Sequence, residues 1–197
     1  DVDSGSTNSG KVLEADGNGG AAWESLPVQF IKSGEFNGDS ELVVDNIQAD
    51  DELIEVVISG LNASSGSNNA VELQVSTDNG ASFIASGYEW VTNNAFDNST
   101  ENASGSGSNN RIFLHGSSDI SDTNSTEFNG VIWVHNPNKS NHRTSANFVT
   151  NAKRGGALST YAGGGNRKNQ ESNDAFRIRL NNSNIASGTY AVYRYKQ

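Results

Sequence analysis

Apolar residues in this chain fall into short runs in which they alternate with polar residues, and clusters of Asn, Ser, Asp and Gly separate the runs. Alternation with a period of two is typical of a β-strand with one buried face. In the most apolar run of the second half, Ile132 and Val134 point to one side, while Val131, Trp133 and His135 point to the other. Runs of this kind lie at 28–31, 41–44, 53–61, 111–115, 128–135, 176–180 and 187–195.

About ten to twelve short strands with frequent turn residues, and no stretch of helical periodicity, predict an all-β protein. We expect a jelly-roll-like antiparallel β-sandwich. The 197 residues suffice for one β domain of that kind and a short extension, so no second large domain is required.

The strongest turn signal is Asn79-Gly80, because both central residues of a type I′ turn need a positive φ angle. A hairpin over residues 70–91 with this turn places Val75 opposite Ile84, and we expect a two-stranded ribbon with one face on the core. The apolar face would carry Val71, Leu73, Val75, Ile84, Tyr88 and Trp90, and the opposite face Glu72, Gln74, Ser76 and Phe83.

The C-terminal residues predict a second hairpin. Phe176, Ile178 and Leu180 alternate with polar residues, residues 181–184 form the turn, and residues 187–195 form the last strand. By contrast, residues 92–110 consist almost entirely of Asn, Ser, Thr and Gly, so we expect a long loop there.

Composition excludes several classes of protein. Hydrophobic residues make up 34% of the chain, there is no cysteine, and the net charge is -10. Disulfides and cysteine-ligated zinc therefore cannot stabilise the fold, and binding of nucleic acid over the whole surface is disfavoured. No apolar run reaches membrane-spanning length, so we expect no membrane insertion. Because methionine is absent and the chain starts at Asp1, we expect a segment or a processed product.

Acidic and basic residues are unevenly divided along the chain. Residues 1–110 contain 18 acids and two bases, whereas residues 111–197 contain five acids and 11 bases. One interpretation is that both sets lie on solvated loops and outward strand faces. The alternative is that acidic and basic edges of neighbouring subunits meet in an oligomer.

The acidic cluster at residues 50–52 could supply an acid/base pair, but such a cluster before a strand is more typical of a solvated cap.

Residues 1–25 contain no run that could bury itself, and we interpret them as an extended arm or oligomerisation segment before a β-sandwich domain at 26–197. A calcium loop from Asp1, Asp3 and Asp16 would lack the regular ligand spacing and the closing Glu. The apolar residues of this arm are Val12, Leu13 and Trp23.

Metal or cofactor chemistry has no clear motif. The only histidines are His115, His135 and His142, and no short paired spacing supports a metal site. We therefore predict no metal, no cofactor and no catalytic residues.

Residues 138–173 combine Arg and Lys with aromatic residues on a Gly-rich background. Gly permits close approach of the backbone, and Arg beside aromatic rings suits sugar hydroxyls and acidic sugars. The alternative is that these are loops over a sandwich whose aromatic residues belong to the core. As candidate carbohydrate-binding residues we take Trp90, Arg143, Tyr161 and Arg167.

Two terminal motifs resemble those of bacteriophage tail-fibre and related virion fibre or spike proteins. The first is Gly10-Lys11-Val12-Leu13, followed by residues 16–20 (DGNGG) and Trp23; the second is the ending 187–193, SGTYAVY. A Gly usually follows that Tyr in the family, whereas Arg194 stands there in this chain. The resemblance implies a virion appendage at the virion surface, outside the cell. It also implies a homotrimer and contacts with other virion proteins through the N-terminal arm, but no activity.

Three functions remain open. The first is a non-enzymatic tail fibre, spike or head fibre that attaches to host cell-surface carbohydrate. The second is a capsid decoration or collar protein with a structural role. The third is a polysaccharide depolymerase, which would need two facing carboxylates. The acids of the C-terminal half are Asp119, Asp122, Glu127, Glu171 and Asp174, and none lies in a recognisable catalytic context.

Overall fold

The computed structural model describes residues 11–15, 20–66, 69–96, 99–120, 127–154 and 157–196. Within these ranges the chain forms 14 β-strands, joined by turns and bends. The strands are β1 (Lys11–Ala15), β2 (Ala21–Ser25), β3 (Val28–Glu35), β4 (Glu41–Val44), β5 (Asp51–Ala63), β6 (Asn69–Ser76), β7 (Tyr88–Phe96), β8 (Ser99–Asn109), β9 (Ile112–Ile120), β10 (Phe128–His135), β11 (Ser145–Arg154), β12 (Ala157–Arg167), β13 (Ala175–Leu180) and β14 (Ile185–Lys196).

All strand pairs are antiparallel, and they form two large sheets and one small one. The larger sheet has eight strands in the order β3-β14-β5-β10-β11-β12-β7-β8. The other large sheet has four strands in the order β4-β13-β6-β9, and β1 pairs with β2 in a separate hairpin. The all-β sandwich expected from the sequence is therefore confirmed, while its jelly-roll character stays a prediction. The calcium loop suggested with Asp1, Asp3 and Asp16 lies outside the described residues.

The core is the apolar layer between the two large sheets. Alternate residues of each strand point into it, as the period of two predicted: Ile54, Val56 and Ile58 on β5 are buried, as are Ile132 and Val134 on β10. The opposite residues of the same strands form the outer face of the eight-stranded sheet. We use this name for the side of that sheet that is turned away from the four-stranded sheet.

The predicted hairpin over residues 70–91 is wrong beyond its turn. Asn79 and Gly80 do have positive φ angles of 55° and 84°, and the amide of Ile84 donates to the carbonyl of Val75 at 2.9 Å. Between Asn69 and Leu73, however, β9 occupies that edge of β6, so the returning chain has no free edge to pair with there. It crosses instead to the eight-stranded sheet, where β7 lies between β12 and β8.

The predicted C-terminal hairpin is wrong for the same reason. Both edges of β13 are occupied, by β4 and by β6, and β14 lies between β3 and β5 in the other sheet. The turn at residues 181–184 therefore carries the chain across the core. Two strands that face one core from opposite sheets show the same alternation as two strands of a hairpin.

The predicted loop at 92–110 and the candidate recognition region at 138–173 both consist largely of strands. The first region continues β7 and forms β8, which pairs with β7 at the edge of the sheet. The second contains β11 and β12, which are internal strands of the same sheet. Backbone hydrogen bonds hold these strands, and they do not require apolar side chains.

The division of charge along the chain is compensated within the protein. Of the nine ion pairs between described residues, eight join an acid from 1–110 to a base from 111–197. The acidic cluster at 50–52 follows this rule, because each acid has a different basic partner. The pairs are Asp50–Lys196 (2.9 Å), Asp51–Arg194 (3.4 Å) and Glu52–Lys139 (2.6 Å).

The four-stranded sheet neutralises its polar outer side with arginines. Glu72 on β6 is completely buried and accepts hydrogen bonds from Arg111 and, at 2.7 Å, from Arg179. Beside it, Arg177 pairs with Glu41 at 2.9 Å. Residues of β6 are therefore buried on both faces, which the sequence did not predict. Removing one partner of such a buried pair typically costs about 3–5 kcal/mol.

Asp78 caps the Asn79-Gly80 turn, and this contact gives the first prediction. Hydrogen bonds from the Ser76 and Ser82 hydroxyls, both 2.6 Å, together with the Ser82 amide, lower the pKa of Asp78 from 3.8 to about 2. Because the folded-state pKa is depressed, this stabilisation is present above pH 3.8 and is lost as the pH falls through about 2.

We expect Asp78→Asn to remove part of the acid sensitivity of folding over that pH range, measured by urea unfolding at a series of pH values. Substitution of the exposed Asp45 by Asn is the control. Equal loss of stability toward low pH in the parent protein and in Asp78→Asn would contradict the assignment.

Candidate functional site

Two of the four candidate residues lie inside the protein. Tyr161 is 7% exposed and its ring lies 4.1 Å from that of His115 in the core. Arg167 is 6% exposed, donates to Glu171 at 2.7 Å and to the carbonyl of Gly87 at 3.1 Å. These side chains therefore do not present themselves to a ligand at the surface. For Tyr161, the alternative that the aromatic residues belong to the core fits its position.

The other two candidates lie at β7, on opposite sides of the eight-stranded sheet. Trp90 turns its half-buried ring toward Phe113, with ring centroids 5.2 Å apart. Arg143 is exposed, and its Nη1 lies 3.8 Å from Oε1 of Glu89, while Nζ of Lys168 lies 4.0 Å from Oε2. Trp90 therefore packs against the core, whereas Arg143 lies beside Glu89 on the outer face, and the structure does not gather the four candidates at one surface.

A groove of about 560 Å³ lies on the outer face beside Glu89. Gly164 and Gly165 form its floor, and Val91, Asn147 and Asn166 are among the residues that line it. The Oδ1 atom of Asn166 is buried and has no hydrogen-bond partner among the described residues. A groove of this volume, with convergent polar groups, is in the range of small-ligand sites.

Glycines allow the strands at the groove to approach closely. A β-carbon on Gly165 would lie 2.6 Å from the carbonyl oxygen of Glu89 and 2.9 Å from Ile112 in the core. The Gly-rich segment that the sequence suggested for ligand access is therefore needed, at this position, for packing between strands β12 and β7.

A continuous row of residues crosses the outer face from the opposite edge of the sheet to this groove. Each member is the direct cross-strand neighbour of the next, and the row covers six interstrand steps of about 4.8 Å, or about 29 Å in total. We call it the cross-strand row. Its members are Phe30, Tyr193, Glu55, Trp133, Asn147, Gly164 and Val91.

The first four members of the cross-strand row combine aromatic rings with a carboxylate. Phe30 is 60% exposed and contacts Tyr193 edge to face, with centroids 5.9 Å apart. Trp133 donates from Nε1 to Oε2 of Glu55 at 2.8 Å, and the hydroxyl of Tyr195 lies 3.5 Å from the same oxygen. Desolvation, and then the charge of Glu55, raise the pKa of Tyr195, so its hydroxyl stays protonated at neutral pH.

His135 lies on the same face of β10, two residues after Trp133, and its cross-strand neighbours are Leu53 and Ser145. Burial lowers its pKa, so the ring is neutral at pH 7. Among the described residues, no three His, Asp or Glu side chains lie close enough to hold a metal ion.

Sequence reasoning missed the aromatic half of the cross-strand row. The signal was present, because Trp133 alternates with the buried Ile132 and Val134, and Tyr193 follows the buried Val192. A large ring placed opposite the core face of a strand must lie at the surface. Partly exposed aromatic residues of this kind are typical of binding surfaces.

Comparisons of the chain with protein-family models, with curated proteins and with solved structures gave no match. In the part of the chain that the structure describes, no helix is long and apolar enough to cross a membrane. The site must therefore be interpreted from its own geometry.

Close packing at the groove floor gives the second prediction. We expect Gly165→Ala to lower the free energy of unfolding by about 1–3 kcal/mol, because the added methyl group meets a backbone oxygen that cannot move away. Chemical denaturation measures this change. Gly107→Ala on the edge strand β8 is the matched control, since a β-carbon there meets nothing within 4 Å. A Gly165→Ala protein as stable as Gly107→Ala would show that the strands are not so closely packed.

Proposed function

We propose that this domain binds carbohydrate on the outer face of the eight-stranded sheet and has no enzymatic activity. The observation that carries the proposal is the cross-strand row, in which exposed and half-buried rings and a hydrogen-bonded carboxylate lead into a groove lined by amides. Sugar rings have apolar faces that pack on aromatic side chains, and hydroxyl groups that bond to carboxylate and amide oxygens. The length of the row, about 29 Å, favours an extended oligosaccharide over a single sugar.

The positions of the carboxylates support binding without cleavage. Glycoside hydrolysis needs two carboxyl groups within about 5–9.5 Å of each other. On the outer face, Glu55 and Glu89 lie on strands four interstrand steps apart, which is about 19 Å. Glu89 is moreover held between Arg143 and Lys168. These observations favour a binding domain over a depolymerase.

We further propose that the carbohydrate belongs to a host cell surface and that the domain is part of a tail fibre, spike or head fibre. This step rests on the resemblance of the two terminal motifs to virion fibre proteins. A homotrimer attached through residues 1–25 would present several copies of the outer face on one particle. Weak individual sugar contacts would then gain from multivalency.

Aromatic residues of the cross-strand row give the third prediction. We expect Trp133→Ala and Tyr193→Ala each to weaken binding of host-surface oligosaccharides by at least about tenfold, because each removes ring area from the centre of the site. The measurement is isothermal titration calorimetry with oligosaccharides selected on an immobilised glycan panel.

Leu158→Ala is the matched control, because Leu158 is an exposed apolar residue of β12 that lies six residues from the groove floor at Gly164. Thermal unfolding verifies that each variant is folded. If no glycan binds, or if both ring variants bind as tightly as the control, the carbohydrate proposal is wrong.

Deletion of residues 1–25 tests the attachment. Gold-labelled antibody against residues 26–197 should mark a fibre tip on intact particles and should be lost from particles that carry the truncated chain. Label spread over the capsid would favour the decoration or collar function instead.

A further inference from the structure

Two strand carboxylates whose side chains the structure describes have no basic partner: Glu35, which is exposed, and Glu55, which is partly buried. Among the described residues, no Lys, Arg or His side chain lies within ion-pair distance of either carboxylate. Five other strand carboxylates have such a partner, although the chain carries far more acids than bases. These are Glu41, Asp51, Glu52, Glu72 and Glu89.

The groups around Glu55 orient its carboxylate but leave its charge uncompensated. Trp133 and Tyr195 both donate to Oε2, at 2.8 and 3.5 Å, and neither group is charged. Tyr193 is the cross-strand neighbour of Glu55 on one side, and Trp133 on the other. A fixed negative charge therefore stands between aromatic residues near the centre of the outer face.

Such surroundings favour an organic cation. An ammonium group beside a carboxylate gains a charge-assisted hydrogen bond, and aromatic rings attract the same group through their negative faces. A neutral hydroxyl group would gain only an ordinary hydrogen bond, which contributes less. Partial shielding of Glu55 from water by its neighbours strengthens the attraction further.

We propose that the Glu55 site binds the ammonium group of an amino sugar within the carbohydrate ligand. This inference rests on the proposed carbohydrate-binding function and specifies its ligand class. An amino sugar fits better than a basic peptide, because the cross-strand row continues from Trp133 to Asn147 and Gly164. There the groove offers amide groups and a glycine floor, which suit a hydroxylated ring.

The test compares two oligosaccharides with the same sugar backbone, one carrying charged amines and the other neutral N-acetyl groups. The probes are chitosan hexasaccharide, whose amines are free, and its N-acetylated counterpart, titrated calorimetrically into the intact chain at a pH that keeps the amines protonated. We expect the free-amine form to bind at least about tenfold more tightly at low salt. At about 0.15 M salt the preference should shrink, because surface ion pairs are screened.

Glu55→Gln should bring the affinities for the two oligosaccharides close together, since it removes the charge and keeps an oxygen for Trp133 and Tyr195. Glu35→Gln is the matched control, because it removes the same charge from an exposed position on edge strand β3. The control should keep the preference of the parent protein. Thermal unfolding shows whether each variant is folded.

Several outcomes would overturn the inference. Equal affinity of the parent protein for both oligosaccharides would refute the ammonium site while leaving carbohydrate binding intact. Tighter binding of trilysine than of the free-amine hexasaccharide would assign the site to a basic peptide. If none of the three probes binds, the site does not recognise ammonium groups. Binding to the immobilised glycan panel then tests the carbohydrate proposal independently.

Discussion

The apolar layer between the eight-stranded and the four-stranded sheet is the interaction on which the rest of the structure depends. Every strand that contributes to it must turn alternate residues inward, and this fixes which residues remain on the outer faces. Tyr88 links the two sheets directly: it begins β7, and its hydroxyl accepts from the amide of Val75 on β6 at 3.0 Å. It also donates to Ile84, and burial raises its pKa to about 12, so the donor is kept at physiological pH.

The two outer faces that result from this arrangement have different chemistry. On the four-stranded sheet, arginines from the basic half of the chain cover glutamates from the acidic half, so most charges there are satisfied within the protein. On the outer face of the eight-stranded sheet, by contrast, Glu55 lies among aromatic rings and has no basic partner among the described residues. Ion pairs within the chain thus occupy the charged groups on the outer face of the four-stranded sheet. On the outer face of the eight-stranded sheet they leave Glu55 unpaired, which is consistent with the proposed ligand site.

Strand positions could be predicted because a buried face imposes a period of two, and β4 and β10 begin and end where the pattern placed them. The pairing of strands could not be predicted, because two strands that face one core from opposite sheets show the same alternation of apolar and polar residues as two strands of a hairpin. Likewise, Trp133 lies between Ile132 and Val134, which reveal its orientation. Tyr161 has Thr160 and Ala162 as neighbours, so its burial depends on tertiary packing that no local pattern records.

We propose above all that the outer face of the eight-stranded sheet is the ligand-binding surface. Amide and indole NMR shifts, recorded while the tightest-binding oligosaccharide of the panel is added, test it most directly. We expect shifts in the Trp133 indole N–H and in amides of β5, β10 and β14 along the cross-strand row. Shifts confined to the face of the four-stranded sheet, around Arg177 and Glu72, or no shifts at all, would contradict it.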